Sequence, residues 1–167
     1  MTPLWPHIAI LAFVTAQRLI ELPVARANTK RLLATGGHEV AARHYPLIVA
    51  VHASWLAALW WFAPGRPIEL ALLGLFALVE VGRVWVLQSL GTRWTTRIII
   101  VPGERLVARG PYRLFSHPNY AVVCAEIALL PLVFGLWQIA LLFSLLNAAV
   151  LFVRIRAENR ALESLRP

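Results

Sequence analysis

The sequence predicts an all-α integral membrane protein: five transmembrane helices, a cytosolic cofactor pocket and a tight hairpin between helices four and five. Three observations carry that expectation. Hydrophobic residues make up 59% of the 167 positions and charged residues only 14%, where a soluble domain is usually about 45–50% apolar; the mean hydropathy is +0.68. Apolar runs recur that approach the roughly 20 residues a helix needs to cross a bilayer. The basic residues gather in alternate connections. The length suits one domain, 1–167.

The first helix is expected from about Leu4 to Val24. No basic region precedes it and no small-residue cleavage site follows, so it reads as a retained helix rather than a signal peptide. The second runs from about Pro46 to Phe62 and the third from about Ile68 to Leu87. The fourth, from about Tyr120 to Phe134, is short and contains Pro131; the fifth runs from about Leu136 to Val153. Gly135 to Trp137 leaves room only for a tight antiparallel turn between the last two.

The net charge is +8, from 16 Lys and Arg against eight Glu and no Asp. In a soluble protein that balance suggests nucleic acid; here it reads as basic loops on one membrane face, with no nucleic-acid partner. Arg26, Lys30, Arg31 and Arg43 follow helix one, Arg93, Arg97, Arg105, Arg109 and Arg113 follow helix three, and Arg154, Arg156, Arg160 and Arg166 lie in the tail. The turn after helix two holds Arg66 alone and the hairpin turn holds none. The positive-inside rule places the N-terminus outside and the C-terminus in the cytosol. Trp5, Trp60, Trp61 and Trp137 fall at the expected outer ends, where amphipathic rings prefer the interface.

The single Cys124 excludes an intrachain disulfide and a Cys-rich metal site and reads as a small core residue. No set of His, Cys and carboxylates has metal-ligand spacing, so no metal is expected. There is no Gly-rich phosphate loop and no nucleophile elbow.

Two connections are long. Arg26–Tyr45 reads as a short helix on the membrane surface, broken at Gly36-Gly37; His38 and His44 within it read as surface residues. Ser89–Asn119 holds the β-branched triplet Ile98–Ile100 and a Pro-Gly turn, and a non-helical loop of this length is more often functional than idle. It ends in "RGPYRLFSHPNY", Arg109–Tyr120. Pro118 suits the first turn of a helix. His117, Asn119 and Tyr120 then cluster at an N-terminus that favours anions. The plainer reading is a capped helix with interfacial aromatics.

Other polar residues point the same way. Glu126 falls about two turns into helix four, and a carboxylate at that depth is a functional candidate unless it pairs with an arginine of another helix. In "RIRAENRALE", Arg154 and Glu158 are four apart and share a face. Arg18 with Glu21 and Glu80 with Arg83 have i,i+3 spacing and read as structural pairs. A polar pocket walled by the loop before helix four, the start of helix four and the end of helix five suits an enzyme that joins a water-soluble cofactor to a lipid.

"RGPYRLFSHPNY", an apolar hairpin and then "RIRAENRAL" resemble the isoprenylcysteine carboxyl methyltransferase family, whose pattern is G-x-Y-R, R-H-P-x-Y, a hairpin and R-I-x-x-E-E-x-x-L. The upstream "LGTRWTTRIIIVPGERLVARG" resembles its bacterial members, and the likeness covers Arg83–Leu162 best. The resemblance implies a membrane methyltransferase that uses S-adenosylmethionine and releases S-adenosylhomocysteine. On that likeness His117 and Tyr120 contact the cofactor and Glu158 holds its amino group or ribose. Arg154 buttresses Glu158. The loop Val101–Tyr112, with Leu106, Val107, Gly110 and Tyr112, covers the adenine.

Three departures stand out. Ser116 replaces the family's arginine before His-Pro, a residue suited to positioning a substrate carboxylate; Asn159 replaces the second Glu; and the longer aromatic tail of the eukaryotic enzymes is missing after Pro167. "HPNY" followed by Glu126, together with His44–Pro46, is more similar to a bacterial subgroup associated with type III polyketide synthases, which methylates hydroxyls of alkylpyrones or alkylresorcinols. That implies Glu126 as base, Asn119 orienting the hydroxyl and His117 as rival base, with the alkyl tail of a lipid-like substrate lying among the helices. The alternatives are carboxyl methylation of a prenylcysteine, methylation of a phospholipid amine, a sterol-type reductase and a non-catalytic membrane scaffold.

Overall fold

The computed structural model describes residues 3–104 and 107–163. Helix α1, Trp5–Ala34, opens with Pro6 in its first turn and runs past the expected end at Val24. The stretch Ala25–Ala34 is rich in Ala, Lys, Arg and Leu, all strong helix formers, and nothing in it breaks the helix before Thr35. Gly36 then takes φ +89°, a left-handed C-terminal cap that a Cβ disfavours, and the Gly37 N–H returns to the Leu32 carbonyl at 3.0 Å. The segment after Val24 is thus a continuation of α1, not a separate helix on the membrane surface.

A feature the sequence reading left as loop comes next. His38–Val40 (β1) pairs antiparallel with Ile98–Ile100 (β2), His38 opposite Ile100 and Val40 opposite Ile98. Ile98 and Ile100 are buried, and Arg97 Nη1 donates to Glu39 Oε1 at 2.7 Å. This small sheet staples the α1–α2 connection to the α3–α4 connection at one end of the bundle.

Helices α2 (Tyr45–Phe62), α3 (Leu70–Leu90), α4 (Pro118–Val133) and α5 (Trp137–Glu163) complete the bundle. The expected hairpin is present: Gly135 turns the chain at φ +67° and the Leu136 N–H donates to the Pro131 carbonyl at 2.9 Å. α3 packs chiefly on α4, and α4 on α5. Four helices, α1, α2, α3 and α5, are long and apolar enough to cross a membrane. α4 is apolar but has 16 residues, about 24 Å at 1.5 Å per residue, against a hydrocarbon core of about 30 Å. By length the expected five spans become four and a shorter fifth helix.

The core runs along the bundle axis through Leu11, Val14, Trp55, Leu59, Phe76, Ile127, Leu130 and Phe134. Outward faces carry large apolar side chains, with Trp61 81%, Leu70 76% and Leu78 69% exposed. That is far more apolar surface than a water-facing bundle presents. Trp5, Trp60, Trp61 and Trp137 are all exposed at the end opposite the sheet. Cys124 is exposed rather than in the core, where its Sγ accepts from Asn147 Nδ2 at 3.4 Å.

Candidate functional site

The hairpin folds the start of α4 against the last turns of α5, and the two motifs meet there. Tyr120 donates its hydroxyl proton to Glu158 Oε2, and Arg154 Nε donates to the Tyr120 hydroxyl oxygen at 2.8 Å. Arg154 thus reaches Glu158 through Tyr120 rather than by a direct ion pair. The His117 and Tyr120 rings stack at 5.3 Å. His117 Nε2–H donates to Asn159 Oδ1 at 3.0 Å, so the residue standing where the family has a second Glu orients this ring.

Next to this cluster, Gly110–Arg113 forms one 3₁₀ turn against α3. Gly110 has φ +56°, and a Cβ there would lie 2.2 Å from Ser89 Oγ, so only glycine fits. Arg109 Nε donates to the Ser89 carbonyl at 2.7 Å, pinning the turn to the end of α3. Tyr112 follows. Burial, and then the nearby Glu158 carboxylate, hold its hydroxyl protonated well above the usual phenol range. Val107 is half-buried on the approach. Arg105, Leu106 and Arg166 lie outside the described residues.

Deeper in the bundle the charged residues of three helices interlock, but not as their spacing suggested. Arg83 uses Nε and Nη2 on Glu21 and Nη1 on both oxygens of Glu126, the latter at 2.9 and 2.8 Å. Arg18 Nη2 donates to Glu126 Oε2 at 2.5 Å, while its neighbour Glu21 is 4.0 Å away. Glu80 does not pair with Arg83; it accepts from Gln17 Nε2 at 2.7 Å. Arg18 and Glu21 keep their i,i+3 ion pair at 4.0 Å, but the shorter contacts run between helices, because residues pointing into a bundle meet their neighbours' side chains and a buried guanidinium must find several acceptors. Glu126 is fully buried with both oxygens engaged by arginines. It sits behind Arg18 and Arg83, off the wall of the cavity.

That cavity, about 280 Å³, is lined by residues of all five helices and of the Trp94–Thr96 segment. Its polar end carries Asn119, Tyr120 and Arg154; Arg18, Glu21, Arg83 and His52 line its interior; Leu19, Val49, Leu56 and Val123 supply apolar wall. Of the residues picked from sequence, Asn119, Tyr120 and Arg154 line it; Glu158 stands one residue back, bonded to Tyr120, and His117 stacks on the Tyr120 ring. Ser116 is exposed. His52 and Arg18 were not foreseen as site residues; a lone histidine two turns beyond Tyr45 in an apolar helix was the available signal.

The donor set fits S-adenosylmethionine. Glu158 matches an ammonium or ribose hydroxyls, Arg154 a carboxylate, and stacked aromatic faces suit a sulfonium.

The fold and this pair of motifs define a class, the membrane methyltransferases. The isoprenylcysteine carboxyl methyltransferase (ICMT) family matches residues 72–164, and the chain belongs to that family. It is an integral membrane protein whose family members generally use S-adenosylmethionine. It is also 38% identical over 167 residues, 92% of this chain and 95% of the relative, to a Bacillus subtilis (strain 168) protein whose name reads uncharacterized protein YpbQ. No solved structure matches the chain.

Proposed function

We propose that the protein transfers the methyl group of S-adenosylmethionine to a hydroxyl on a lipophilic substrate of the alkylpyrone or alkylresorcinol kind. One observation carries this reading. A single cavity joins the polar Tyr120–Arg154 end to apolar walls, so a soluble cofactor and a lipid tail can meet in it. The bound sulfonium supplies an electrophilic methyl. The chain's own residues do the rest: Glu158, Arg154, His117, Tyr120 and the turn through Val107, Gly110 and Tyr112 hold the cofactor. Asn119, beside Tyr120 on the wall, orients the acceptor. The apolar walls exclude water and align the reactants. Glu126, locked between two arginines, holds the helices that form the wall, a different role from the base suggested by its position in the sequence. The basic end of the bundle faces the cytosol, following the positive-inside rule.

Carboxyl methylation is the second reading. It fits the family, and Arg18 and Arg154 on the wall are able to grip a carboxylate. The experiment is methyl transfer from labelled S-adenosylmethionine by purified protein in liposomes, with an alkylresorcinol, an alkylpyrone and a farnesylcysteine analogue offered side by side. Label on the phenol or pyrone is expected; label only on farnesylcysteine establishes the carboxyl reading. If no acceptor is labelled and the protein fails to bind the cofactor, both fall.

A further inference from the structure

His52 lies on the cavity wall within α2. Its Nδ1 is 2.8 Å from the Ile48 carbonyl oxygen. A carbonyl oxygen only accepts, so in the neutral ring Nδ1 carries the proton and Nε2 carries the lone pair. Among the described residues no donor meets Nε2, yet it is not one of the buried polar atoms left without a partner. The atom is therefore accessible, on a residue that lines the cavity. The helix has fixed the tautomer and left an acceptor nitrogen free.

The charged groups around this ring come from every neighbouring helix: Arg18 and Glu21 from α1, Arg83 from α3, Glu126 from α4 and Arg154 from α5. Arg18, Arg83, Glu21 and Glu126 cancel in charge, so this cluster does not hold the ring permanently protonated. Arg83 is saturated by its two carboxylates. Arg18 is not. Its Nη2 is bonded to Glu126, while among the described residues its Nη1 has only a Glu21 oxygen 4.0 Å away. His52 and Arg18 both line the cavity, one with a free base nitrogen and the other with an under-used guanidinium.

We infer that His52 is the general base of the reaction: Nε2 takes the proton of the acceptor hydroxyl, and Arg18 faces the oxygen left with the negative charge. The inference rests on the methyl-transfer reading above and narrows it. The O–H bond breaks as the N–H bond forms on Nε2. The oxygen keeps the electron pair and uses it on the methyl carbon. The S–C pair stays with the sulfur of the bound sulfonium, and the imidazolium returns its proton to water. A carboxylic acid is already ionised near neutral pH and has no proton to give, so a base here serves a phenol or enol and not a carboxylate.

The test needs no cofactor. A lipophilic nitrophenol is titrated in detergent with the cofactor-free wild-type protein and with His52→Asn, and its phenolate absorbance is followed against pH. The wild type is expected to raise the phenolate-to-phenol ratio of the bound probe about tenfold over His52→Asn, one unit of apparent pKa, with similar affinity. Equal ionisation in the two proteins overturns the inference, as does a probe that does not bind the wild type. His52→Gln replaces His52→Asn if the latter is not monodisperse. Labelled methyl transfer is run alongside. Ionised probe with no label on any acceptor and no binding of S-adenosylmethionine by the wild type overturns the methyl-transfer reading and keeps His52 as the proton acceptor. Label in the wild type, with the same pH–rate profile in His52→Asn, overturns His52 alone.

Discussion

Arg83 Nη1 lies 2.9 and 2.8 Å from the two oxygens of Glu126, tying α3 to α4 at the centre of the bundle. Arg18 approaches the same carboxylate from α1, so one anion is shared by three helices. Glu126→Gln leaves two buried guanidiniums with Glu21 alone, and breaking a buried pair this way costs about 3–5 kcal/mol. Thermal unfolding in detergent is expected to fall accordingly. The Arg83→Met/Glu126→Met double variant should recover part of that loss, because Arg18 and Glu21, 4.0 Å apart, are then left to pair with each other. A Glu126→Gln protein with unchanged melting but no turnover would return Glu126 to the role of base.

On the proposed reading Glu158 grips the cofactor. Glu158→Gln removes a charge-assisted hydrogen bond of about 1.5–3 kcal/mol, which weakens S-adenosylmethionine binding about 10- to 100-fold. Calorimetric titration reads this directly. Tyr120→Phe removes only the relay between Arg154 and Glu158 and is expected to cost less.

Gly110→Ala tests the turn ahead of α4. The new Cβ meets Ser89 Oγ, and the positive φ adds strain, together of the order of 1–3 kcal/mol. The turn should shift away from α3, seen as faster proteolysis near Arg109 and weaker cofactor binding with little change in the melting of the helices. Ser89→Gly in the same chain should relieve the clash but not the strain.

Tyr112 gives a pH dependence. Its pKa is raised on folding, so above the ordinary phenol value of about 10 the unfolded chain has lost a proton that the folded chain keeps. The stability from this group is complete below about pH 10 and falls as pH rises beyond it. Tyr112→Phe is expected to flatten that alkaline loss in thermal scans between neutral and strongly basic pH, with no comparable change in slope below.

The helices were legible because lipid-facing segments are uniformly apolar: α2 to α4 fall within a few residues of where hydropathy puts them, and α5 starts where expected but runs ten residues past Val153, to Glu163. The overrun of α1 was not legible, because Arg26, Lys30 and Arg31 mark where the membrane ends and not where the helix does. The β1–β2 pair hid for a different reason: three-residue strands carry almost no period, and His38-Glu39-Val40 has no strand composition to match Ile98–Ile100. The meeting of "HPNY" with "RIRAEN" was readable from the hairpin. Pairing of Glu126 with an arginine of another helix was one of the two readings of that residue, and it is what the structure has; which arginines, and the sharing with Glu21, was not legible, since these contacts depend on how α1, α3 and α4 are rotated against one another. His52 was passed over because spacing cannot reveal that Nδ1 is held by Ile48 and Nε2 left open.

α4 is the short member of the bundle, with its 16 residues ending in Pro131 and the Gly135 turn. A helix shorter than the hydrocarbon thickness makes the bilayer thin around it or draws its polar end inward. Anchored by the α4–α5 turn at the tryptophan-bearing end, so short a helix would hold Pro118 to Tyr120 below the headgroup level on the basic side. On the methyl-transfer reading proposed above, water and a charged cofactor would then reach the depth of the lipid's reactive group, and the lipid need not be lifted out of its leaflet.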